Sequence, residues 1–335
     1  MFEALVLRPS NHGLKARIER LDDSALPEGD TLVSVLYSSL NYKDALAVTG
    51  RGKIIRGTYP FIAGIDLVAR VEATESTAFV PGDLVLGTGW GLGEHHWGGY
   101  SERQRVRAEW LVPLPADLAP THAMSIGTAG LTAMLSVFAL QEAGIRPHDG
   151  KVLVTGASGG VGGFGVALLS RFGYRVVAST GDDGAIPYLR RLGASEIISR
   201  DEVALPDGKP LASARWSGAI DVVGGRTLAS IIASLERHGA VAACGLTGGA
   251  ELHTTVYPFI LRGVSLMGID SNTCPQERRL RAWQSLAAIL RRENLDEMMT
   301  VIGLKDVPAY SERLLAGEIR GRLVVDVTGS SKAIA

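Results

Sequence analysis

The pattern of hydrophobic and polar positions changes part-way along the chain. Up to about residue 125, short apolar runs at 4–7, 31–36, 64–71 and 80–86 are separated by glycine- and proline-containing turns. Short runs with this punctuation predict a domain made mainly of strands. Around residues 123–140 the apolar positions lengthen into a stretch that is typical of a helix.

From residue 151 onward the pattern predicts strands that alternate with helices. Strands are predicted at 151–154, 175–179, 218–225 and 239–245, with helices at 162–172 and 186–192. This alternation indicates βαβ units and a parallel sheet with right-handed crossovers. The strand-like run 322–327 could complete either domain.

Length and composition narrow the class of protein. A chain of 335 residues fits two domains, and a net charge of −1 gives no electrostatic argument for nucleic acid or an anionic membrane. Two cysteines, Cys244 and Cys274, cannot form a disulfide framework and indicate a reducing, cytoplasmic compartment. We expect no signal peptide, because the short apolar N-terminal run contains Glu3 and Arg8, and no apolar stretch long enough to span a membrane.

A glycine-rich run follows the first predicted strand of the second half. Residues 155–166 read TGASGGVGGFGV, in which Gly156, Gly159 and Gly162 are spaced three apart between a strand and a helix. Glycines in this position permit a tight turn, and the helix N-terminus offers free N–H groups to a pyrophosphate. We therefore predict a dinucleotide site, the alternative being a tight turn in another α/β fold.

The residue after the second strand of this half bears on which dinucleotide binds. An NAD enzyme usually carries an acidic residue there, whereas this chain has the neutral Thr180. Arg200 is a cation that could pair with the 2′-phosphate of NADP, unless it is an ordinary surface arginine. Asp182 and Asp183 follow closely, and one of them could take the NAD role. Thr180 and Arg200 together favour NADP.

A polar cluster follows the predicted strand 31–36. Residues 41–44 read Asn-Tyr-Lys-Asp, and Tyr42 could donate a hydrogen bond to a substrate carbonyl or to a nicotinamide. The predicted catalytic residues are Tyr42, Asn41 and Asp44, with Tyr42 and Asp44 as candidate proton donors. The cations of the next segment could meet an anionic substrate, unless they lie on a solvated turn; they are Arg51, Lys53 and Arg56.

The loop 87–102, GTGWGLGEHHWGGYSE, contains residue types that can bind a metal ion. His95 and His96 follow Glu94, but adjacent histidines rarely share a metal and the spacing is not that of a helix-borne zinc pair. We expect a substrate-lining or packing loop and no metal site.

Several longer strings, spread over nearly the whole chain, resemble one enzyme family. SSLNYKDALAVTGRGKIIRG, GTAGLTAML, TGASGGVG and IRGRLVVDV are similar to the zinc-free medium-chain dehydrogenase/reductases, and within them to the acrylyl-CoA reductase branch of the quinone-oxidoreductase-like proteins. Zinc members carry Gly-His-Glu where this chain reads Gly64-Ile65-Asp66. The structural-zinc cysteine cluster is also absent from the sequence.

The resemblance implies both an architecture and an activity. It implies a GroES-like catalytic domain at residues 1–125, a Rossmann NADP-binding domain at 126–297, a return to the first domain at 298–335, and a homodimer. The implied reaction is NADPH-dependent reduction of the C=C bond of acrylyl-CoA to propionyl-CoA. The alternatives are a reductase of small quinones or enones, and a non-enzymatic NADPH-binding protein.

The resemblance also implies a set of cofactor contacts. Relatives often read Ser-Gly-Arg where this chain reads Thr180-Gly181-Asp182, so one 2′-phosphate partner is replaced by a negative charge. The implied contacts are Tyr42, Ser158, Gly159, Gly160, Val161, Thr180, Gly181, Asp182, Arg200, Leu246, Ile260, Ser271 and Arg322.

Overall fold

The computed structural model describes residues 1–11, 13–204, 210–290 and 292–329, and it divides into two compact units. The first unit comprises Met1–Thr128, Asn272–Ala287 and the described residues from 292 onward. The second comprises Ala129–Ser271 and Ala288–Leu290. The sequence-based boundaries differ in three places: residues 126–128, 272–287 and 292–297 were expected in the second domain, and the structure groups them with the first unit. Residues 330–335 of the predicted return lie outside the described residues.

Buried polar contacts explain why Asn272–Ala287 belongs to the first unit. Arg279 has no exposed surface, and its guanidinium donates to the carbonyl and hydroxyl oxygens of Thr88 at 2.6 and 2.8 Å. Gln276 donates to the carbonyl of Leu111 at 2.7 Å. These polar partners are not apparent from hydrophobic periodicity.

The first unit holds two sheets. In one, three strands follow the order β2-β1-β4, and in the other the order is β15-β16-β3-β5-β6-β8, with β7 also paired to β3. The last strand pairs antiparallel with β3, so the C-terminal strand completes this unit. The strands are β1 Phe2–Ser10, β2 Gly13–Leu21, β3 Thr31–Leu40, β4 Phe61–Ile62, β5 Asp66–Thr74, β6 Leu84–Thr88, β7 Arg103–Val106, β8 Leu111–Pro113, β15 Met299–Gly303 and β16 Arg322–Asp326.

Helices accompany these sheets and extend into the second unit. The α2 helix is interrupted at Gly127, where φ is +46°. It is also long and apolar enough to cross a membrane, contrary to the expectation from the sequence, but 94% of its most apolar stretch is buried, as in a core helix. The helices are α1 Tyr42–Thr49, α2 Pro120–Glu142, α7 Gln276–Ile289, α8 Arg292–Met298 and α9 Val307–Leu315.

The second unit is built on a six-stranded sheet in which every pairing is parallel. The order β11-β10-β9-β12-β13-β14 places the first strand of the unit in the middle, with the chain wound outward on either side. This is the Rossmann order, and it confirms the predicted α/β class. The elements are β9 Lys151–Val154, α3 Gly160–Arg171, β10 Arg175–Thr180, α4 Ile186–Leu192, β11 Glu196–Ser199, β12 Trp216–Asp221, α5 Gly225–Ser234, β13 Leu235–Ala243, α6 Tyr257–Arg262 and β14 Ser265–Gly268.

Candidate functional site

The polar residues predicted at 41–44 mark the junction between β3 and α1. Asn41 is the residue before the helix, and its N–H donates to the carboxylate of Asp44 at 3.0 Å. The other carboxylate oxygen of Asp44 accepts from the N–H of Ile65 at 2.9 Å. Asp44 is 1% exposed. It therefore stabilises the start of the helix and ties it to the segment before β5.

A fully buried carboxylate, Asp66, joins this junction to the middle of α2. It accepts hydrogen bonds from the Ser39 hydroxyl, from the Asn41 side-chain amide at 2.8 Å, and from both the N–H and the hydroxyl of Thr128. Its four donors satisfy both oxygens, as a buried carboxylate requires. Asp66 was not among the predicted site residues, although it opens a strand that is otherwise apolar at its buried positions.

The side-chain N–H groups of Asn41 are already engaged within the protein. Its amide nitrogen lies within 3.1 Å of acceptors on Ser39, Asp44 and Asp66, while its oxygen accepts from Arg322 at 2.9 Å. An amide has two N–H hydrogens, and both are used inside this cluster. Asn41, which was predicted as a catalytic residue, therefore has no free N–H to offer a substrate, and its contacts fit a residue that positions the start of α1. Its catalytic role stays a prediction.

Burial also changes the acidity of this cluster. Removal from water, and secondarily the negative charge of Asp66, raises the pKa of Asp44 from 3.8 to about 7, against the opposing effect of three hydrogen bonds. Burial likewise raises the pKa of Tyr100 well above 10. Because Asp44 is enclosed, it has no path to a bound substrate, and its predicted role as proton donor has no support in the geometry.

Gly127 makes room for this cluster. A Cβ at this position would lie 2.5 Å from Oδ2 of Asp66 and 3.3 Å from a guanidinium nitrogen of Arg322. The break in α2 brings the N–H of Thr128 to within 3.0 Å of Asp66. Glycine is required here both for space and for its left-handed backbone.

Tyr42 is the predicted catalytic residue whose reactive group is accessible. The residue is 43% exposed, and its hydroxyl makes no hydrogen bond within the described part of the chain. Its backbone belongs to the first turn of α1, which the carboxylate of Asp44 stabilises. Tyr42 thus presents a phenol on a rigidly held backbone.

Of the two histidines in the loop 87–102, His95 is exposed and His96 contacts the backbone. Both ring nitrogens of His96 contact backbone carbonyls, those of Trp97 and Glu28, at 2.9 and 3.1 Å. Glu94 is paired with Lys43 at 2.8 Å. Over the described residues, no group of three or more histidine, cysteine, aspartate or glutamate side chains is placed to hold a metal ion.

In the second unit, the glycine run forms the turn between β9 and α3. Gly156 has φ of +54°, and Gly159 is the residue before the helix, where no side chain caps the first N–H groups. A Cβ at Gly162 would lie 2.2 Å from the carbonyl oxygen of Gly156. The first turn of the helix, with Gly160 and Val161, therefore packs tightly on the loop that contains Ser158, and no side chain caps its first N–H groups, which fits a pyrophosphate.

The end of β10 lies beside this turn. The hydroxyl of Thr180 contacts that of Ser158 at 3.3 Å and accepts from the N–H of Asp182 at 3.1 Å. The Asp182 carboxylate accepts from the N–H of Gly184 at 3.0 Å and so caps a short 3-10 turn. A Cβ at Gly181 would lie 1.9 Å from two guanidinium nitrogens of Arg200, so this guanidinium covers the Gly181 backbone.

The remaining predicted cofactor contacts have different environments. Leu246 and Ile260 are 63% and 69% exposed, and the hydroxyl of Ser271 accepts from that of Thr132 at 2.8 Å. Arg322 belongs to the first unit, where it is 4% exposed and donates to the carbonyl of Ser125 and to Asn41. The roles of these four residues in cofactor binding stay predictions.

Comparison with known proteins identifies the family. Residues 27–116 match the alcohol dehydrogenase GroES-like domain and residues 160–288 the zinc-binding dehydrogenase domain. The chain is 50% identical to the probable acrylyl-CoA reductase AcuI of Escherichia coli K12, over 97% of this chain and 99% of that protein. The chain belongs to the acrylyl-CoA reductase branch of the medium-chain dehydrogenase/reductase family. Acrylyl-CoA reductase AcuI of Ruegeria pomeroyi is 46% identical over 98% of this chain and 99% of its own length.

A solved structure of a family member supports the same assignment. The yhdH oxidoreductase of Salmonella enterica, in complex with NADP, superimposes with a TM-score of 0.94 at 50% identity, covering 97% of this chain and 99% of that one. The fold and the family predicted from the sequence are therefore confirmed. Within this medium-chain dehydrogenase/reductase, Asp66 ends the Gly64-Ile65-Asp66 string that differs from the zinc members, and it binds side chains of its own unit.

Proposed function

We propose that this protein is an NADPH-dependent acrylyl-CoA reductase, which reduces the C=C bond of acrylyl-CoA to give propionyl-CoA. The observation that carries the proposal is the 50% identity to a probable acrylyl-CoA reductase over nearly the whole of both chains. The uncapped helix start at Gly160, with Gly162 packed against Gly156, supports the binding of a pyrophosphate. When bound there, NADPH supplies the hydride that adds to the β-carbon of the thioester.

Tyr42 is the residue that we propose acts at the reacting end of the substrate. Addition of hydride to the β-carbon moves negative charge onto the thioester oxygen, and a hydrogen-bond donor at that oxygen lowers the barrier. The exposed phenol of Tyr42 can donate such a bond or fix the nicotinamide beside it, and it can deliver a proton to the α-carbon directly or through water. Asn41 and Asp44 position Tyr42, because their hydrogen bonds stabilise the start of α1.

Arg200 and Thr180 are proposed to favour the phosphorylated cofactor. A guanidinium against the Gly181 backbone offers a planar pair of donors to a 2′-phosphate. The carboxylate of Asp182 accepts from the N–H of Gly184 and caps the short 3-10 turn, which gives this acidic residue a structural role of its own.

The proposed reaction uses no metal, and the protein is proposed to act in the cytoplasm as a homodimer without nucleic-acid or membrane partners. Its two cysteines are free thiols, and burial raises the pKa of Cys244 to about 12, which makes it a poor nucleophile. The dimer proposal rests on β14, one of the two edge strands of the parallel sheet, in which Leu266 is exposed, and on the exposed Ile260 and Leu261 of the preceding helix α6. Light scattering of Leu266→Asp against wild type tests it: a dimeric wild type and a monomeric variant are expected.

The activity is tested by mixing protein, NADPH and acrylyl-CoA and following the absorbance of the reduced cofactor. We expect turnover with acrylyl-CoA and a much lower kcat/KM with a free enone or a quinone. Tyr42→Phe should lower kcat by about 100-fold, the usual effect of losing one oxyanion donor. Tyr37→Phe, a half-buried tyrosine of β3, is the matched control and should retain activity.

Two results would overturn parts of this proposal. No oxidation of NADPH above a blank without thioester would exclude the reductase, and a higher kcat/KM for a quinone would reassign the substrate. Full activity of Tyr42→Phe would remove Tyr42 from the reaction but leave the activity in place.

A further inference from the structure

A surface pocket of about 650 Å³ lies in the first unit beside the C-terminal end of α1. Its volume is in the range of small-molecule sites. Its wall is partly apolar and partly cationic, with one aromatic ring. The side chains that define it are Leu14, Ala47, Ile55, Lys53, Arg56 and Tyr59.

Of the cationic side chains around the pocket, two form ion pairs and two do not. Arg51 pairs with Glu312 at 2.5 Å, and Lys43 pairs with Glu94 at 2.8 Å. Lys53 and Arg56 are exposed, and within the described residues neither has a carboxylate at ion-pair distance. The pocket therefore presents two positive charges, three residues apart in the chain, to any anion that enters it.

The backbone that presents these cations is held in place on both sides. At Gly50 the chain leaves α1 with φ of +69°, as a helix C-cap. The N–H groups of Arg56 and Gly57 both donate to the carbonyl of Glu94, at 2.8 and 3.1 Å. A Cβ at Gly57 would lie 2.5 Å from the ring of Phe61, so the loop passes closely over that ring. A fixed loop loses little entropy when a ligand binds.

From this pocket we infer a second binding subsite, for the phosphorylated adenosine end of the CoA thioester. The inference rests on the proposed function. The phosphates of CoA are anions that an ammonium and a guanidinium bind through charge-assisted hydrogen bonds. The adenine ring is flat and weakly polar, which suits the ring of Tyr59 and the apolar wall that Leu14 and Ile55 provide.

The position of the pocket suits a ligand with two ends. Tyr42 begins α1 and the pocket lies at its other end, and a helix of eight residues is roughly 12 Å long. The pantetheine arm of CoA separates the thioester from the phosphoadenosine, so the substrate can contact both places at once. This subsite would explain a preference for CoA thioesters over small enones, because binding energy from the remote phosphoadenosine lowers KM and so raises kcat/KM.

The kinetic test neutralises the two cations and compares two substrates. Lys53→Gln/Arg56→Gln should raise KM for acrylyl-CoA by about tenfold or more, with kcat unchanged, because two charge-assisted contacts are lost. With acrylyl-pantetheine, which lacks the phosphoadenosine, the same variant should match wild type. The control Arg17→Gln/Lys305→Gln removes two exposed charges of the same unit, away from the pocket lining, and should not change either KM.

A binding measurement separates this inference from the proposed activity. Adenosine 3′,5′-bisphosphate is titrated into protein saturated with NADP⁺, which prevents it from occupying the cofactor site. Calorimetry should show binding to wild type and at least about tenfold weaker binding to the double variant. If wild type reduces acrylyl-CoA but both measurements leave the double variant equal to wild type, the subsite is wrong and the function stands. If wild type binds the bisphosphate but reduces no thioester, the proposed function fails instead.

Discussion

The two candidate regions of this protein, around Asp66 and around Gly159, are built in opposite ways. Around Asp66, in the first unit, polar side chains from several distant segments are buried together and satisfy one another. Around Gly159, in the second unit, the residues are mostly glycines and no side chain caps the start of α3. Backbone N–H groups are therefore the groups available to bind a ligand. In both regions one glycine packs where a Cβ would collide, Gly127 against Asp66 and Gly162 against Gly156. The first region is therefore a support for a site, whereas the second is a binding surface.

Removing the central carboxylate should have the largest effect. Asp66→Ala leaves four buried hydrogen-bond donors without their acceptor, and we expect the free energy of unfolding to fall by about 3–5 kcal/mol. Urea denaturation measures it. The control Glu75→Ala removes an exposed carboxylate and should change stability by less than about 0.5 kcal/mol. A loss below about 1 kcal/mol for Asp66→Ala would mean that the polar cluster contributes little to stability.

The acidity of Asp44 should make the stability of this region depend on pH. Its folded pKa of about 7 exceeds the ordinary 3.8, so the folded state holds a proton that the unfolded state releases. This contribution is complete below pH about 4 and is lost as pH rises through about 7. The shift corresponds to at most about 4 kcal/mol.

The measurement compares unfolding free energies of wild type and Asp44→Asn at several pH values from about 4 to 8. Stability of wild type should fall relative to the variant across this window, since the variant has no group to titrate there. Parallel pH profiles for the two proteins would show that Asp44 is ionised in the folded state and that the cluster is less enclosed than its burial indicates.

The same contrast explains what the sequence could and could not predict. The glycine turn could be predicted because all of its parts are close together in the sequence. About twenty positions contain the strand, the three glycines Gly156, Gly159 and Gly162, and the helix. The alternation of strands and helices after residue 150 is local for the same reason, and it predicted the Rossmann sheet correctly.

The cluster around Asp66 could not be predicted in this way. Its members come from β3, β5, α2 and β16, and residues such as Ser39, Thr128 and Arg322 are separated by up to 283 positions, from 39 to 322. No periodicity or short motif relates them. Their pairing depends on strand order and on the break in α2 at Gly127, which only the tertiary structure reveals. Asn41 and Asp44 were predicted as catalytic residues because the partners that enclose them, Ile65, Asp66 and Arg322, are distant in sequence, although the contact between Asn41 and Asp44 themselves is local.

A single methyl group should be enough to damage the binding surface of the second unit. The Cβ of Gly162→Ala would lie 2.2 Å from a backbone oxygen, so the first turn of α3 must move away from the loop. We expect the affinity for NADPH to fall by more than about tenfold, because several amide contacts to the pyrophosphate are displaced together. Gly165→Ala, in the same helix, meets only side chains at 3.4 Å or more and is the control. Equal affinities in the two variants, by fluorescence titration of NADPH, would argue against a pyrophosphate at this turn.

The smallest effect is expected at the rim of that surface, where one side chain does contribute. Arg200→Ala removes the guanidinium that covers Gly181, and KM for NADPH should rise by about tenfold because a charge-assisted contact to the 2′-phosphate is lost. KM for NADH, which lacks that phosphate, should not change. Arg175→Ala removes another exposed arginine from the same unit and should leave both values unaltered. An equal rise for both cofactors would make Arg200 a structural residue, and the choice between NADPH and NADH would then depend on the Thr180 and Asp182 turn.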